Sequence, residues 1–263
     1  MNLETPASPA EVYERQFVPA LFQYWGNVMA RIANIQSGQH VLDVACGTGV
    51  LACAAAAHVG ATGHVVGLDP NDAMLALAHR KDPRIEWRNG RAESLPFADA
   101  SFDRVVSQFG FMFFDDQRAA LAEMLRVLRP AGQLTIAVCD AIHHSPGYAV
   151  LAELLQQLFG NEVAQAFRAP FSSADKQQLM SLCLEAGMTN AKLMRHDGPV
   201  HFTSIQSLVA TERACVWTLG GLLDDVQFER LYEEAEEVFQ PFLTAKGEVE
   251  FNMPALIITC TKT

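Results

Sequence analysis

No stretch of this chain stays apolar for the ~20 residues that a helix needs to cross a bilayer. The most apolar run, Val50 to Ala57, is alanine-rich and stops at His58, so no membrane span is expected. The opening residues Met1-Asn2-Leu3-Glu4 lack a basic segment followed by an apolar one, which leaves no secretory signal to read and makes the cytoplasm the expected compartment. Basic residues are scarce: 19 Lys and Arg stand against 30 Asp and Glu, a formal charge of -11. Such a surface repels phosphate, and no Lys/Arg cluster is present that would release counterions from a nucleic acid or bind an anionic lipid face. The expected partner is a small molecule, with no nucleic acid and no membrane. The six cysteines, at 46, 53, 139, 183, 215 and 260, form no CxxC pair and no Cys/His grouping at metal-ligand spacing. They read as reduced, mostly buried thiols. His143-His144 is the only His pair, and adjacent side chains point apart, so no protein-bound metal is expected.

What is present is apolar residues in a regular rhythm. At 263 residues, half of them hydrophobic, the chain has enough material for one large core. The first 36 residues show apolar side chains at three- and four-residue steps, from Val12 through Phe17, Leu21, Trp25 and Met29 to Ile32, which predicts a helical cap. From 37 to 140 strands alternate with helices. The expected strands are Val41 to Ala45, His64 to Asp69, Ile85 to Arg88, Phe102 to Gln108 and Gln133 to Cys139. The helices between them run to about His58, from Met74 to Lys81, and from Gln117 to Arg129, the last stopped by Pro130-Ala131-Gly132. That alternation specifies a parallel, doubly wound α/β sheet. Beyond 140 the rhythm changes. Helices are expected at Tyr148 to Leu158, Ala174 to Ala186, Ser204 to Leu219 and Val226 to Phe242, with strands at Ala191 to Arg195 and Phe251 to Thr261. The residues 141–263 therefore read as lid helices and final strands of a single domain, the extra helices lying over the strand ends where open α/β sheets bind ligands. The segments 140–173 and 204–219 are the expected movable lid that sets substrate choice, carrying the polar groups His143, His144, Glu212, Arg213 and Trp217 amid apolar ones.

The chemistry concentrates in Val41-Leu42-Asp43-Val44-Ala45-Cys46-Gly47-Thr48-Gly49, a strand followed by a glycine turn and a helix start. Glycines there let a ligand approach the backbone and meet free helix N–H groups. By itself the turn is ambiguous, because Gly47-x-Gly49-x-x-Ala52 also fits the dinucleotide fingerprint and Asp69 stands where its ribose-binding acid belongs. Asp43 tilts the balance: a carboxylate at the strand end repels a pyrophosphate and attracts a cation. Asp69 identifies a nucleoside without saying which.

Four blocks taken together resemble the class I S-adenosylmethionine-dependent methyltransferases of the ubiquinone/menaquinone-biosynthesis type. They are Val41 to Gly49; Gly67 to Leu75; Gly90 to Phe97 with Ser101-Phe102-Asp103; and Leu128 to Leu134. The resemblance implies a Rossmann-like, mostly parallel seven-stranded sheet with a helical cap and lid insertions, and S-adenosylmethionine as cofactor. It implies that Asp43, Gly47, Thr48 and Gly49 hold the methionine part and Asp69 the ribose, with Ala45 and Pro70 also on the cofactor. Met74 covers the adenine face, Arg91, Ala92 and Glu93 line its edge, and Gln108 stands at the lip of strand four near the reactive methyl. Tyr13 folds over the cofactor as tyrosines at this place do in similar enzymes. Positions 45 and 131 are glycine in many such proteins and alanine here.

A base is needed only if the acceptor has a proton to lose, and His143, His144 and His201 are the candidate catalytic residues because imidazole titrates near neutral pH. Ser107-Gln108-Phe109-Gly110 after strand four lacks the Asn/Asp-Pro-Pro-aromatic block of amino-methylases acting on nucleobases. Phe109, Phe111, Phe113 and Phe114 read as lid and core packing. The expected function is methyl transfer from S-adenosylmethionine to a small, partly apolar or aromatic acceptor. An NAD(P)-dependent oxidoreductase and a non-methylating S-adenosylmethionine-binding protein are the alternatives.

Overall fold

The computed structural model describes residues 8–215 and 219–263, so Trp217 lies outside the described residues. The chain starts its first helix with a capping box: the Ser8 hydroxyl accepts from the Glu11 N–H, the Glu11 carboxylate accepts from the Ser8 N–H, and Pro9 takes the first helical position. Helix α1 (Pro9–Val12) runs into a π-helical stretch, Tyr13–Phe22, and on into α2 (Gln23–Ile32). The apolar stripe expected of a cap is buried, with Phe17, Leu21, Trp25, Val28 and Met29 all in the core.

The main sheet has the order β3-β2-β1-β4-β5-β9-β6. Its strands are β1 (His40–Val44), β2 (His64–Asp69), β3 (Glu86–Asn89), β4 (Phe102–Gln108), β5 (Leu128–Cys139), β6 (Lys192–His196) and β9 (Ala255–Thr261), while β7 (Pro199–Phe202) and β8 (Val249–Asn252) form a separate antiparallel hairpin. The first five strands pair in parallel, and β9 runs antiparallel between β5 and β6. This is the expected α/β sheet, seven-stranded and mostly parallel. Its two faces belong to different apolar clusters: Val41, Val106, Ala137 and Ile257 pack on one side, and Leu42, Val105, Ile136, Val138 and Ile258 on the other. Alternate residues of each strand are thus buried on opposite faces, and the strands read as continuous apolar runs.

Helices α3 (Val50–Val59), α4 (Asp72–Lys81) and α5 (Gln117–Val127) make the crossovers. After β5 come α6 (Pro146–Phe159), α7 (Asn161–Arg168) and α8 (Lys176–Glu185), and after β7 come α9 (Ile205–Ala214) and α10 (Asp225–Val238).

Three sequence expectations need correction; the first is the helix expected over Ser204 to Leu219, which ends at Ala214. The helix expected to reach Arg129 ends at Val127, and Pro130-Ala131-Gly132 lies within β5 instead of forming a stop. The reason is tertiary: the Ala131 N–H donates to the Lys262 carbonyl, the Lys262 N–H donates to that of Gly132, and the Lys262 ammonium caps the carbonyls of Leu125 and Leu128 at 2.7 Å each. The single strand expected over Phe251 to Thr261 is two, parted at Met253-Pro254. There the Met253 N–H donates to Gly198 and the Pro254 carbonyl accepts from the Asp140 N–H, carrying the chain from the hairpin into the main sheet. Helix α7 and strand β7, eight and four residues long, went unread.

Candidate active site

A cavity of about 640 Å³ opens at the carboxyl ends of β1, β2, β4 and β5, the place where open parallel sheets bind ligands. Its floor is the turn between β1 and α3, and the backbone there is tightly wound. Ala45, Gly47 and Gly49 all have positive φ, at 58°, 54° and 84°. Ala45 therefore holds a conformation that costs an L-residue about 1 kcal/mol or more. Its methyl is accommodated because position 110 is glycine: a Cβ on Gly110 would lie 2.4 Å from that of Ala45. Gly49 serves packing as much as a ligand, since a Cβ there would meet the Trp87 ring at 2.4 Å.

Asp43 is 1% exposed, and neither carboxylate oxygen has a hydrogen-bond partner among the described residues. Burial holds its pKa well above the ordinary carboxylate value. The buried Thr48 hydroxyl and the Gln108 side-chain carbonyl are also unpartnered. Orphaned polar groups that converge on a cavity are a cost to the fold unless a ligand satisfies them. Asp69 is differently placed: one oxygen accepts from the Gly47 N–H and the other from the Asn71 N–H, each at 2.9 Å. It braces the glycine turn as well as facing the cavity, and burial raises its pKa against those two bonds. Replacing it would loosen the turn in addition to removing acceptors for a ribose.

Next along the rim, Met74 is buried in a small cluster with Ala10 and Leu77 yet lines the cavity, beside Pro70, Ala92 and Glu93. The Arg91 guanidinium is held by Asp115 and lies 3.5 Å from Glu93, while Glu93 accepts from the Asp115 N–H, so the loops after β3 and β4 are clamped together. Gln108 donates through Nε2 to the Phe22 carbonyl at 3.3 Å, tying the end of β4 to the cap. Tyr13 arches over the turn, its hydroxyl 3.8 Å from where a Gly47 Cβ would be; burial raises its pKa far above the usual value. Every residue expected to bind cofactor lies on this cavity except Gly49, which sits behind it against Trp87.

The opposite wall is aromatic. Tyr13 stacks on Phe22 with ring centroids 5.4 Å apart, Phe22 meets Phe109 at 5.7 Å, and Tyr148 on α6 touches Phe167 and Phe171 at 5.8 and 5.9 Å. Cys139, Cys215 and Met253 fill between them, and burial pushes the Cys139 thiol up to about 12, so it stays protonated. Of the four phenylalanines after β4, Phe109, Phe113 and Phe114 line the cavity, and Phe111 is fully buried on the other face of the sheet. Sequence reasoning missed Tyr148, Phe167, Phe171 and Met253. Only Tyr148 left a signal, as the first aromatic of the helix that follows β5 at a ligand-binding strand end.

The three histidines are elsewhere. His144 is exposed and bonds Asp140 at 2.8 Å, and Asp140 also takes the Arg195 Nε at 2.8 Å. Burial pulls the Asp140 carboxyl upward but the Ala141 N–H, Arg195 and His144 together hold it low. This is a brace between β5 and β6. His143 is exposed beside His144, and His201 on β7 faces Glu248 and Glu250 at 3.5 and 3.9 Å. None of the three is among the described residues that line the cavity. Arg213 is also outside it, paired with Asp225 and stacked over Phe228 at 4.9 Å, whereas its neighbour Glu212 is buried and lines it.

The carboxylate and cationic side chains described on the cavity are six carboxylates, Asp43, Asp69, Asp72, Glu93, Asp115 and Glu212, and one guanidinium, Arg91. That balance suits a cationic ligand and opposes a pyrophosphate. An ammonium and ribose hydroxyls would give Asp43, Thr48 and Asp69 the partners their burial calls for, so the residues fit S-adenosylmethionine.

Comparison with known proteins agrees with this balance. Residues 41–132 match a family model described as a methyltransferase domain. The chain is 32% identical over 193 residues to a demethylmenaquinone methyltransferase of Halalkalibacterium halodurans, covering 66% of this chain and 77% of the relative. A demethylmenaquinone methyltransferase of Bacillus velezensis is 31% identical over 199 residues, 69% of this chain and 84% of that one. Among solved structures, a putative methyltransferase from Bacillus halodurans superposes with a TM-score of 0.61 at 22% identity, over 90% of this chain and 98% of the other, a likeness of fold.

Proposed function

This chain belongs to the class I S-adenosylmethionine-dependent methyltransferases and methylates a small molecule; from that premise we propose that the acceptor is a flat, partly apolar ring of aromatic or quinone type, held by the aromatic wall. The observation that carries this reading is the polarity of this cavity: orphaned polar groups at Asp43 and Thr48 on one side, and Phe22, Phe109, Phe167 and Phe171 on the other. That two relatives are demethylmenaquinone methyltransferases, named for a quinone, supports it.

When bound, S-adenosylmethionine supplies an electrophilic methyl on a sulfonium. The chain's own contribution is placement. Asp43 binds the cofactor's ammonium, Asp69 the ribose, Met74 and Pro70 the base, with Ala92 and Glu93 at its edge. Gln108 and Tyr13 stand between the two halves, where they fix the acceptor's distance, and the phenylalanines exclude water from it. Arg91 closes the rim through its pairs with Asp115 and Glu93. The segments 140–173 and 204–215 act as the acceptor-selecting cover of a single domain. No helix among the described residues is long and apolar enough to cross a membrane, and the deficit of basic residues supports a cytoplasmic enzyme that works on neither nucleic acid nor membrane surface.

The test is a pair of titrations followed by turnover. S-adenosylhomocysteine is expected to raise the melting temperature and NADH to leave it unchanged. A hydroxylated naphthoquinol with a free ring position is expected to gain one methyl by mass spectrometry. Stabilisation by NADH alone, or methylation confined to hydrophilic acceptors, would overturn the reading.

A further inference from the structure

The two-stranded β7–β8 sheet carries a group of ligand-type side chains that methyl transfer does not use. Val200 and Phe202 on β7, with Val249 and Phe251 on β8, are buried in the core. Alternation along the two strands therefore puts His201, Glu248 and Glu250 together on the outward face. His201 stands directly opposite Glu250 in the antiparallel register. Glu248 comes two residues earlier, and its backbone is pinned: its N–H donates to the Thr244 hydroxyl at 3.2 Å, and its carbonyl accepts from the Thr244 N–H at 2.8 Å. The three side chains are thus presented by a rigid scaffold whose other face is locked in the core.

Their spacing is informative. The imidazole Nε2 lies 3.5 Å from a Glu248 oxygen and 3.9 Å from a Glu250 oxygen, and one donor atom from each of the three lies within 4.8 Å of the others. An imidazolium paired with a carboxylate closes to about 2.7 to 2.9 Å, and neither contact does so. Ligands held about 2.0 to 2.2 Å from a zinc ion at tetrahedral angles stand about 3.3 to 3.6 Å apart. The separations are those of donors arranged around a shared cation. Among the described residues no Lys or Arg lies within 4.0 Å of either carboxylate, so two negative charges face each other across His201 in a chain of net charge -11. A dication between them relieves that repulsion.

We propose that His201, Glu248 and Glu250 form a zinc-binding site, completed by solvent water, that staples β7 to β8. The imidazole nitrogen selects a borderline transition metal over magnesium or calcium, which prefer oxygen donors throughout. The two strands are joined by the whole segment that contains α9 and α10, so the ion closes a long loop, where a cross-link constrains the unfolded chain most. None of the three ligands lines the cavity, and the metal takes no part in methyl transfer. Its effect reaches the aromatic wall through the strand: Phe251 meets Tyr148 with ring centroids 5.0 Å apart, and β8 runs on into Met253, which lines the cavity.

The experiment titrates the chelator-stripped full chain with zinc chloride by calorimetry and follows its thermal melt, with calcium chloride as the comparison ion. Wild type is expected to take up one zinc ion per chain, to bind it about a hundredfold more tightly than calcium, and to melt at a higher temperature when zinc is present. His201→Ala and Glu250→Gln should each weaken zinc binding about tenfold or more and abolish the gain in melting temperature. Both should keep the wild-type dissociation constant for S-adenosylhomocysteine within about twofold, because neither side chain lines the cavity. The exposed pair His143-His144 is the competing ligand set, and His143→Ala should leave zinc affinity unchanged. Absence of zinc uptake by wild type would overturn the proposal. So would binding that survives both substitutions, binding lost in His143→Ala, or calcium bound as tightly as zinc.

Discussion

The two ends of the cavity are built on opposite principles. The end around Asp43, Thr48 and Asp69 is polar, backbone-rich and drawn from consecutive turns of the sheet, with three left-handed residues within five positions. The end around Phe22, Tyr148, Phe167 and Phe171 is apolar, made of side chains, and assembled from the cap and three later helical segments. The first leaves charge unsatisfied so that a particular charged ligand repays it. The second offers area and shape, with Glu212 and Tyr148 as its polar markers. On the proposed reading one end is specialised to a fixed cofactor and the other is free to change with the acceptor, because packing surfaces tolerate substitution where buried charges do not.

The sharpest way to break this contrast is Asp43→Asn. Loss of the charge opposite the ligand's ammonium should weaken S-adenosylhomocysteine binding by about 2 to 3 kcal/mol, roughly 30- to 160-fold. The same change should stabilise the ligand-free protein at neutral pH. The folded-state pKa of Asp43 is raised above its ordinary 3.8, so the native form holds the proton more tightly than the unfolded chain does. Stability contributed by this group is present at low pH and declines as pH climbs from 3.8 through the raised pKa, and asparagine removes that decline. Isothermal calorimetry reads the affinity, and thermal melts across pH read the slope. Retained affinity, or a variant with the wild-type slope, would refute the role given to Asp43.

A smaller effect is expected at the other end. Phe171→Ala should lower kcat/KM for an aromatic acceptor about tenfold, about 1.4 kcal/mol, while the S-adenosylhomocysteine affinity stays within twofold. Parallel losses in both would mean that the two ends are not separable. The smallest effect belongs to Ala131, which lies at neither end and has φ of 61°. Ala131→Gly should raise stability by about 1 kcal/mol, through relief of the left-handed backbone, and leave both affinities untouched. Chemical denaturation checks it; a loss of stability would show that the lost methyl matters more than the backbone.

Legibility in the sequence followed the same division. The strands β2 and β4 were read to the residue, and the glycine turn, Asp43 and Asp69 were found because their spacing along the chain is their spacing in space. The alanines at 45 and 131, noted as standing where similar proteins have glycine, both prove to be left-handed, so local sequence marked local strain. Beyond residue 140 the reading weakened. The histidines were chosen by side-chain chemistry alone, and their burial and neighbours, such as Asp140 for His144, come from β5 and β6 packing that no short window contains.

By itself, the sequence determined the sheet, the direction of its first five strands and the charge of the ligand, since alternation, glycine turns and an acid at a strand end are local properties. Tertiary structure alone decided which side chains line the far wall of the cavity. Tyr13, Tyr148, Glu212 and Met253 are far apart in the chain, and they share a wall only because the cap, the helices after β5 and the turn before β9 close over the same strand ends. A contact between distant segments depends on how buried faces pack, and that is a property of the whole core.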